Sequence, residues 1–486
     1  MNSAFNQLVQ GMVAGRSWDA MGNTDRIKEL LGQVYDERFH RGAHHRNRFL
    51  VRANMQTKAD AASYAGWITA ENPTSGPYQG TSFVWFPGET GSVAVLVIGT
   101  DGFGADTHIL GRPGHGRRLR AISRLSRGKA WVKPDLLDLA SHVPDAISTR
   151  WPEIPAALKS YSHVIYAAVP VTSEEDGEIV ADLIDLFFHE HQIPFTGNAD
   201  LRWQERMQDI AGTIFPRVGA TAVLELLRDR RFVILEGPPG TGKTRLAYQL
   251  ADRIGSSTLV QFHPARTYED FVVGLYPKPV DGGLAFEVKP GDLLRANQRA
   301  AAGEHLLLID EVNRADLGKV LGEAIVLLEP GEARSIELPH QPEGWPRSLT
   351  LSPNLMVLGT RNTADRTISR MDLAIRRRFA FVDFWPDRQP VQDEGVELAQ
   401  ECFDDTVLTF AEYADDETLR LVPGHSYFLD PRPDLAPQGR ADRIARRLRL
   451  ELVPLLKEYL TERLCGGASQ EIAGLADRIE SRVLER

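Results

Sequence analysis

The chain has 486 residues, 42% of them apolar and 25% charged, a formal net charge of −10, and only two cysteines, Cys402 and Cys465. That length suits two to four domains with full cores, and the balance excludes a polycation, a disulfide-stapled scaffold and a Cys-rich metal site. No run approaches the roughly eighteen apolar residues of a membrane span, and the start MNSAFNQLVQGMVAGRSW lacks the basic lead and apolar core of a secretory signal, so a cytoplasmic protein without a membrane partner is expected.

Residues 1–205 read as a mixed α+β domain. Helical spacing at Ile27, Leu30 and Leu31 comes first, followed by a basic cluster, Arg41, His44, His45, Arg46, Arg48 and Arg52. His44-His45 has no cysteine or carboxylate partner at metal-ligand spacing, so it is not read as a metal pair. Residues 81–86 and 93–98 are β-prone runs separated by the turn-like PGETGS, which predicts a hairpin. Residues 111–129 are rich in Gly and Arg (Arg112, Arg117, Arg118, Arg120, Arg124, Arg127, Lys129) and hold no acid. This stretch is either a phosphate-contacting patch or a solvated helix face. Trp85, Phe86 and Phe103 either stack on a nucleic-acid base or form the core of the hairpin. A strand over 163–169 and an amphipathic helix near 177–191 follow. Pro194 and TGNAD suggest a linker.

Residues 206–385 alternate strand and helix signals, which predicts a largely parallel α/β sheet. The strand candidates are 232–235, 258–262, 306–309 and 355–358, with a helix around 221–230. The first strand runs into Gly237-Pro238-Pro239-Gly240-Thr241-Gly242-Lys243-Thr244, and a helix with apolar positions Leu246, Ala247, Leu250 and Ile254 follows. Strand, glycine loop and helix aim backbone N–H groups at a polyphosphate. Lys243 would reach the β- and γ-phosphates, and the Thr244 hydroxyl would hold Mg²⁺.

Downstream, the apolar strand 306–309 ends in Asp310-Glu311. Asp310 would hold Mg²⁺ through water, and Glu311 would orient and polarise the attacking water. The strand at 355–358 leads to Asn362 and Asp365. Asn362 would sense the γ-phosphate and the attacking water, and Asp365 joins the nucleotide-binding set; the bland alternative is that both cap the next turn. Arg376, Arg377 and Arg378 form either a charged solvated face or arginine fingers acting on a neighbouring subunit's nucleotide. Glu287 and Lys289 make an E-x-K, but it lies within the core without a suitably placed acidic partner, so DNA cutting would belong to another chain. Residues 386–486 read as helices, with one long helix from Ala441 to about Leu464.

Phosphate loop, acidic pair, asparagine and arginine run, in this order, resemble an AAA+ module, and finer motifs resemble its McrB-type branch. VQFH at 260–263 with YEDF at 268–271, IDEVNR at 309–314, NTADRT at 362–367 and IRRRFAF at 375–381 are similar to that branch's signatures. GHSYF at 424–428 and PLLKEY at 454–459 are similar to its lid. Arg361 departs from the signature, which has Met at that place. The resemblance covers about residues 220–465. It implies an AAA+ core over 206–385, a helical lid over 386–486 and an N-terminal domain over 1–205 that selects DNA, modified DNA included. It also implies a hexameric ring with Arg377 and Arg378 as trans fingers, GTP as favoured nucleotide, and a separate McrC-like endonuclease partner in restriction of foreign DNA. GTP and ATP stay open, since the chain has no N-K-x-D guanine reader and AAA+ modules at large use ATP. Two other readings stand beside this one: a MoxR-like protein-remodelling chaperone, and a nucleotide-gated DNA sensor without translocation.

Overall fold

The computed structural model describes residues 3–55, 63–73, 77–151, 154, 156–281, 283–329, 331–364, 373–436 and 438–485. The chain divides into two compact units: Met1–Ile214 with Ala411–Asp415, and Phe215–Phe410 with Asp416–Arg486.

The first unit is α+β. Its strands are β1 (Phe49–Asn54), β2 (Tyr64–Thr69), β3 (Thr81–Pro87), β4 (Ser92–Ile98), β5 (Trp131–Val132) and β6 (Ile165–Val171), in the order β1-β2-β3-β4-β6-β5 with antiparallel neighbours. The predicted hairpin is β3–β4, with Thr81 opposite Ile98 and Pro87 opposite Ser92. Every residue of β3 is buried, so Trp85 and Phe86 belong to the core rather than to a base-stacking surface. Phe103 is exposed. The helix Gly177–Glu190 packs on β3, β4 and β6 and buries all its residues except Glu178 and His189.

Burial on that helix includes three carboxylates, Asp182, Asp185 and Glu190, which must be paired to be tolerated. Asp185 accepts from Arg38 Nε at 2.9 Å and from Arg202 at 2.7 Å. Asp182 accepts from Arg202 at 2.7 Å and from Arg206 Nε at 2.9 Å. Arg202 and Arg206 lie on the helix Asn198–Ile214, which begins where the sequence suggested a linker. These ion pairs, together with the stacking of Phe195 on Trp203, make that segment part of the unit.

The second unit holds a five-stranded parallel sheet and is α/β. Its strands are β7 (Phe232–Gly237), β8 (Ser257–Gln261), β11 (His305–Asp310), β14 (Leu355–Asn362) and β15 (Ala380–Asp383), in the order β15-β7-β14-β11-β8. Two antiparallel hairpins are inserted, β9 (Val273–Val280) with β10 (Gly283–Pro290), and β12 (Ser335–Glu337) with β13 (Ser348–Thr350). Alternation splits the sheet between two cores. Val233, Leu235, Leu306, Leu308, Met356 and Leu358 pack with the helices Ala220–Arg230 and Lys243–Ile254. Phe232, Ile234, Leu307, Ile309, Leu355 and Val357 pack with Leu293 and Leu294 of the helix Asp292–Ala300 and with the 317–328 segment.

Helices fill the C-terminal part. The long helix expected from Ala441 is Arg440–Arg447, a π-helical segment at Leu448–Leu452, and Val453–Thr461. Pro454 lacks an N–H, and its ring opposes the carbonyl four residues back, which accounts for the wider turn just before it. Among the described residues, no helix is long and apolar enough to cross a membrane.

Candidate nucleotide site

The site lies at the carboxyl ends of β7, β14 and β11, where parallel sheets present loops to ligands. Register brings the parts together: Asn362 stands opposite Gly237, and Gly359 opposite Ile309. The phosphate loop leaves β7 at Gly237 and closes on the helix Lys243–Ile254. Gly240 and Gly242 take φ of +78° and +85°, conformations that side chains strain. A Cβ on Gly240 would also lie 2.5 Å from Ser426 Oγ. Thr241 is fully buried and its hydroxyl donates to the Pro238 carbonyl at 3.0 Å. Lys243 is buried, with Nζ donating to the carbonyls of Gly237 and Pro238 at 2.9 and 2.6 Å. Pro239 and Gly240 offer their carbonyls to the backbone N–H groups of Gly424 and Ser426 at 3.0 Å each.

On the helix side of the loop, Thr244 Oγ1 donates to Asp310 Oδ1 at 3.1 Å. Thr360 Oγ1 donates to the same oxygen at 2.5 Å and accepts from the Glu311 backbone N–H at 3.1 Å. A hydroxyl and a carboxylate oxygen side by side are hard donors, the type Mg²⁺ takes while keeping most of its waters.

Glu311 terminates β11 in the left-handed region, φ 57° and ψ 49°, a costly conformation for a side-chain-bearing residue. Its Oε1 accepts from Asn362 Nδ2 at 2.7 Å, and its Oε2 lies 3.4 Å from Arg314 Nε. Acid and amide therefore form one unit beside the Asp310 pair. Asp365 lies outside the described residues.

The two arginines expected to act in trans differ in their surroundings. Arg378 is buried; it donates to the Ala374 carbonyl at 2.7 Å and lies 2.9 Å from Glu329 Oε2. Arg377 is exposed and only 3.7 Å from the same carboxylate oxygen.

Some neighbours of the site were not singled out from sequence. Thr360 shares the face of Asn362 by strand alternation, a signal the spacing offered. His425 sits within the motif read only as lid. Its Nδ1 accepts from the Asp387 N–H at 3.2 Å, and its Nε2 lies 3.4 Å from where a Gly242 Cβ would be. Burial, with Arg245 and Arg217 nearby, lowers its pKa against the opposing pull of Asp387, so the ring is held neutral with the proton on Nε2.

The basic stretch of the first unit is largely committed to internal pairs. Arg118 is fully buried between Glu190 and Glu412. Arg112 pairs with Glu190 at 3.3 Å, and Arg117 donates to the carbonyls of Ala411 and Ala414 at 2.9 Å each. Arg120, Arg124 and Arg127 are exposed, and Lys129 pairs with Asp176. Arg41, His44, Arg46 and Arg48 of the other cluster are exposed. Among the described residues no group of His, Cys, Asp and Glu is arranged to hold a metal by itself. Glu287 and Lys289 of the E-x-K lie 3.7 Å apart on β10.

Comparison with known proteins agrees with this geometry. Residues 232–379 match the AAA domain of the dynein-related subfamily. The chain is 32% identical over 248 residues to the Type IV methyl-directed restriction enzyme EcoKMcrB subunit of Escherichia coli K12, covering 47% of this chain and 53% of that one. A mitochondrial Lon protease homolog of Debaryomyces hansenii is 30% identical over 108 residues, 21% of this chain and 9% of that one. The chain thus spans about half the length of the first relative and a small part of the second. A crystal structure from Cytophaga hutchinsonii aligns with 54% of this chain and 68% of its own at 18% identity and a TM-score of 0.26, too low to add to the assignment. Taken with the assembled phosphate loop, acidic pair and asparagine, these matches mark residues 232–379 as an AAA domain and the chain as a P-loop nucleoside triphosphatase that is similar to the McrB subunit over about half its length.

Proposed function

We propose that this chain is the nucleotide-hydrolysing subunit of a modification-dependent restriction system, working as a ring on DNA with a separate McrC-like endonuclease. The observation that carries the reading is the set Thr244–Asp310–Thr360 and Glu311–Asn362 gathered beside the phosphate loop. In this reading the loop from Gly237 to Thr244 cradles the phosphates, and Lys243 turns its ammonium to the β- and γ-oxygens. Thr244 and Asp310 hold Mg²⁺, which when bound neutralises charge on the phosphate oxygens. Glu311 accepts a proton from the attacking water, and Asn362 fixes that carboxylate and the water. Asp365 completes the nucleotide contacts. Arg377, exposed where Arg378 is buried, is the better placed of the two to reach a neighbouring subunit's nucleotide.

GTP is the favoured substrate and ATP the alternative; the McrB-type motifs support GTP. The first unit is the DNA-selecting part. Exposed Arg41, His44, Arg46 and Arg48 supply a phosphate-contacting patch, and Arg48 also lines a cavity of about 440 Å³ with His108 and Arg112. Duplex binding by the full chain, measured across a salt series, tests this. Affinity that falls steeply with salt, and a shallower slope for Arg46→Ala/Arg48→Ala, are expected. Salt-independent or absent DNA binding, with capture of a folded protein, would favour the protein-remodelling reading.

A further inference from the structure

Glu236 is a charged residue at the end of a buried strand, directly before Gly237. It is 4% exposed. The parallel ladder places it in one row with Arg361 of β14 and Asp383 of β15, so three charged side chains share a sheet face. Two neighbouring carboxylates in such a row repel, and a buried one is costly unless it is paired. Three arginines answer it. Arg361 Nη1 lies 3.1 Å from Glu236 Oε2. Arg420 Nη1 bridges Glu236 Oε1 and Asp383 Oδ1 at 3.5 Å each. Arg376 Nη2 lies 3.8 Å from Glu236 Oε1, and its guanidinium stacks over Phe381 at 4.9 Å.

Each arginine belongs to a different working part. Arg361 precedes Asn362, the amide on Glu311. Arg376 precedes Arg377. Arg420 lies shortly before the segment that bonds the phosphate loop through Gly424 and Ser426, and its carbonyl accepts from Thr363 Oγ1 at 3.0 Å. Thr363 N–H in turn donates to the Gly237 carbonyl at 3.0 Å. We infer that Glu236 is a positioning residue for hydrolysis: its carboxylate holds the asparagine strand, the arginine-bearing segment and the 420–428 segment in register with the phosphate loop. Arg361, where the McrB-type signature has Met, is the partner that fits this chain to that carboxylate.

The inference rests on hydrolysis through Glu311, and the experiment keeps the two separable. Steady-state turnover of Mg·GTP and Mg·ATP is measured together with binding of fluorescent GTP and ATP analogues, for wild type, Glu311→Gln, Glu236→Gln, Arg361→Met and the Glu236→Gln/Arg361→Met double variant. Turnover by Glu311→Gln at the wild-type level would sink the assignment of the base. Glu236→Gln should lower kcat at least about tenfold while analogue binding changes less than about threefold, because the loop survives and the register does not. The row with its two further arginines carries net charge +1 in wild type, +2 in Glu236→Gln and again +1 in the double variant. The double variant should therefore turn over faster than Glu236→Gln alone, a coupling that independent sites do not show. Arg361→Met alone should lower kcat a few-fold at unchanged binding, a result that stands even if Glu236→Gln fails to fold. Unchanged kcat in Glu236→Gln or in Arg361→Met, or losses that simply multiply in the double variant, would overturn the inference.

Discussion

At the scale of single residues, the proposed chemistry turns on Glu311. Its left-handed backbone carries the carboxylate out of the strand and onto Asn362. Glu311→Gln keeps size and hydrogen bonding but removes the proton acceptor. Turnover should fall by a factor on the order of 10²–10⁴ while nucleotide binding is retained, as read by single-turnover assays and equilibrium binding. Lys243, Thr244, Asp310, Glu311 and Asn362 were legible because the loop's spacing and strand-terminal acids are local signals. The partners of Glu236 were not, because Arg361, Arg376 and Arg420 lie far along the chain: the ladder aligns Arg361, and only tertiary packing brings Arg376 and Arg420 to the same carboxylate. The clue on offer was a lone charge inside an apolar strand. Arg118 shows the converse: the sequence put it in a basic patch, and Glu190 and Glu412 draw it inside.

At the scale of elements, the helix Lys243–Ile254 couples the phosphate loop to the core. Leu250 is fully buried beneath the sheet. Leu250→Ala should cost about 2–5 kcal/mol, seen as a lower midpoint in chemical denaturation, with added nucleotide restoring part of it. The helix was legible from apolar spacing, and β7, β8, β11 and β14 from short apolar runs. The β9–β10 hairpin was not: Leu275, Leu284 and Phe286 are exposed, so its pattern follows neither a buried strand nor a two-faced one. In the first unit, the sheet is tied to the helix end by His191, whose Nε2 lies 3.0 Å from Thr81 Oγ1. Burial, aided by Arg48, lowers its pKa to about 3. The unfolded chain takes up that proton below about pH 6.5 and the folded chain does not, so this contribution is whole above pH 6.5 and drains as pH falls toward 3. Between pH 7.5 and 5.5 it amounts to about 1.4 kcal/mol. Urea unfolding of the first unit at those two pH values should show the loss, and His191→Asn should flatten it; an equal pH dependence in the variant would exclude His191 as the cause.

At the scale of the whole molecule, the proposed ring requires residues that act between subunits. Arg377→Ala should abolish most turnover and leave the monomer's thermal midpoint unchanged, since its side chain is exposed. Arg378→Ala should lower that midpoint, because it removes a buried side chain together with the shortest of the ion pairs on Glu329. Mixing Arg377→Ala with Glu311→Gln tests action in trans. Each is inactive alone, and a mixed ring sets an intact Glu311 beside an intact Arg377, so activity should return; none returning would place the arginine's action within one subunit.

The most direct test of the account is turnover of GTP and of ATP by the purified chain with and without Mg²⁺, against Glu311→Gln as the blank. Mg²⁺-dependent hydrolysis, faster with GTP, is expected, and it should vanish in the variant although that protein still binds nucleotide. No hydrolysis of either nucleotide, or equal hydrolysis by the Glu311→Gln protein, would contradict it.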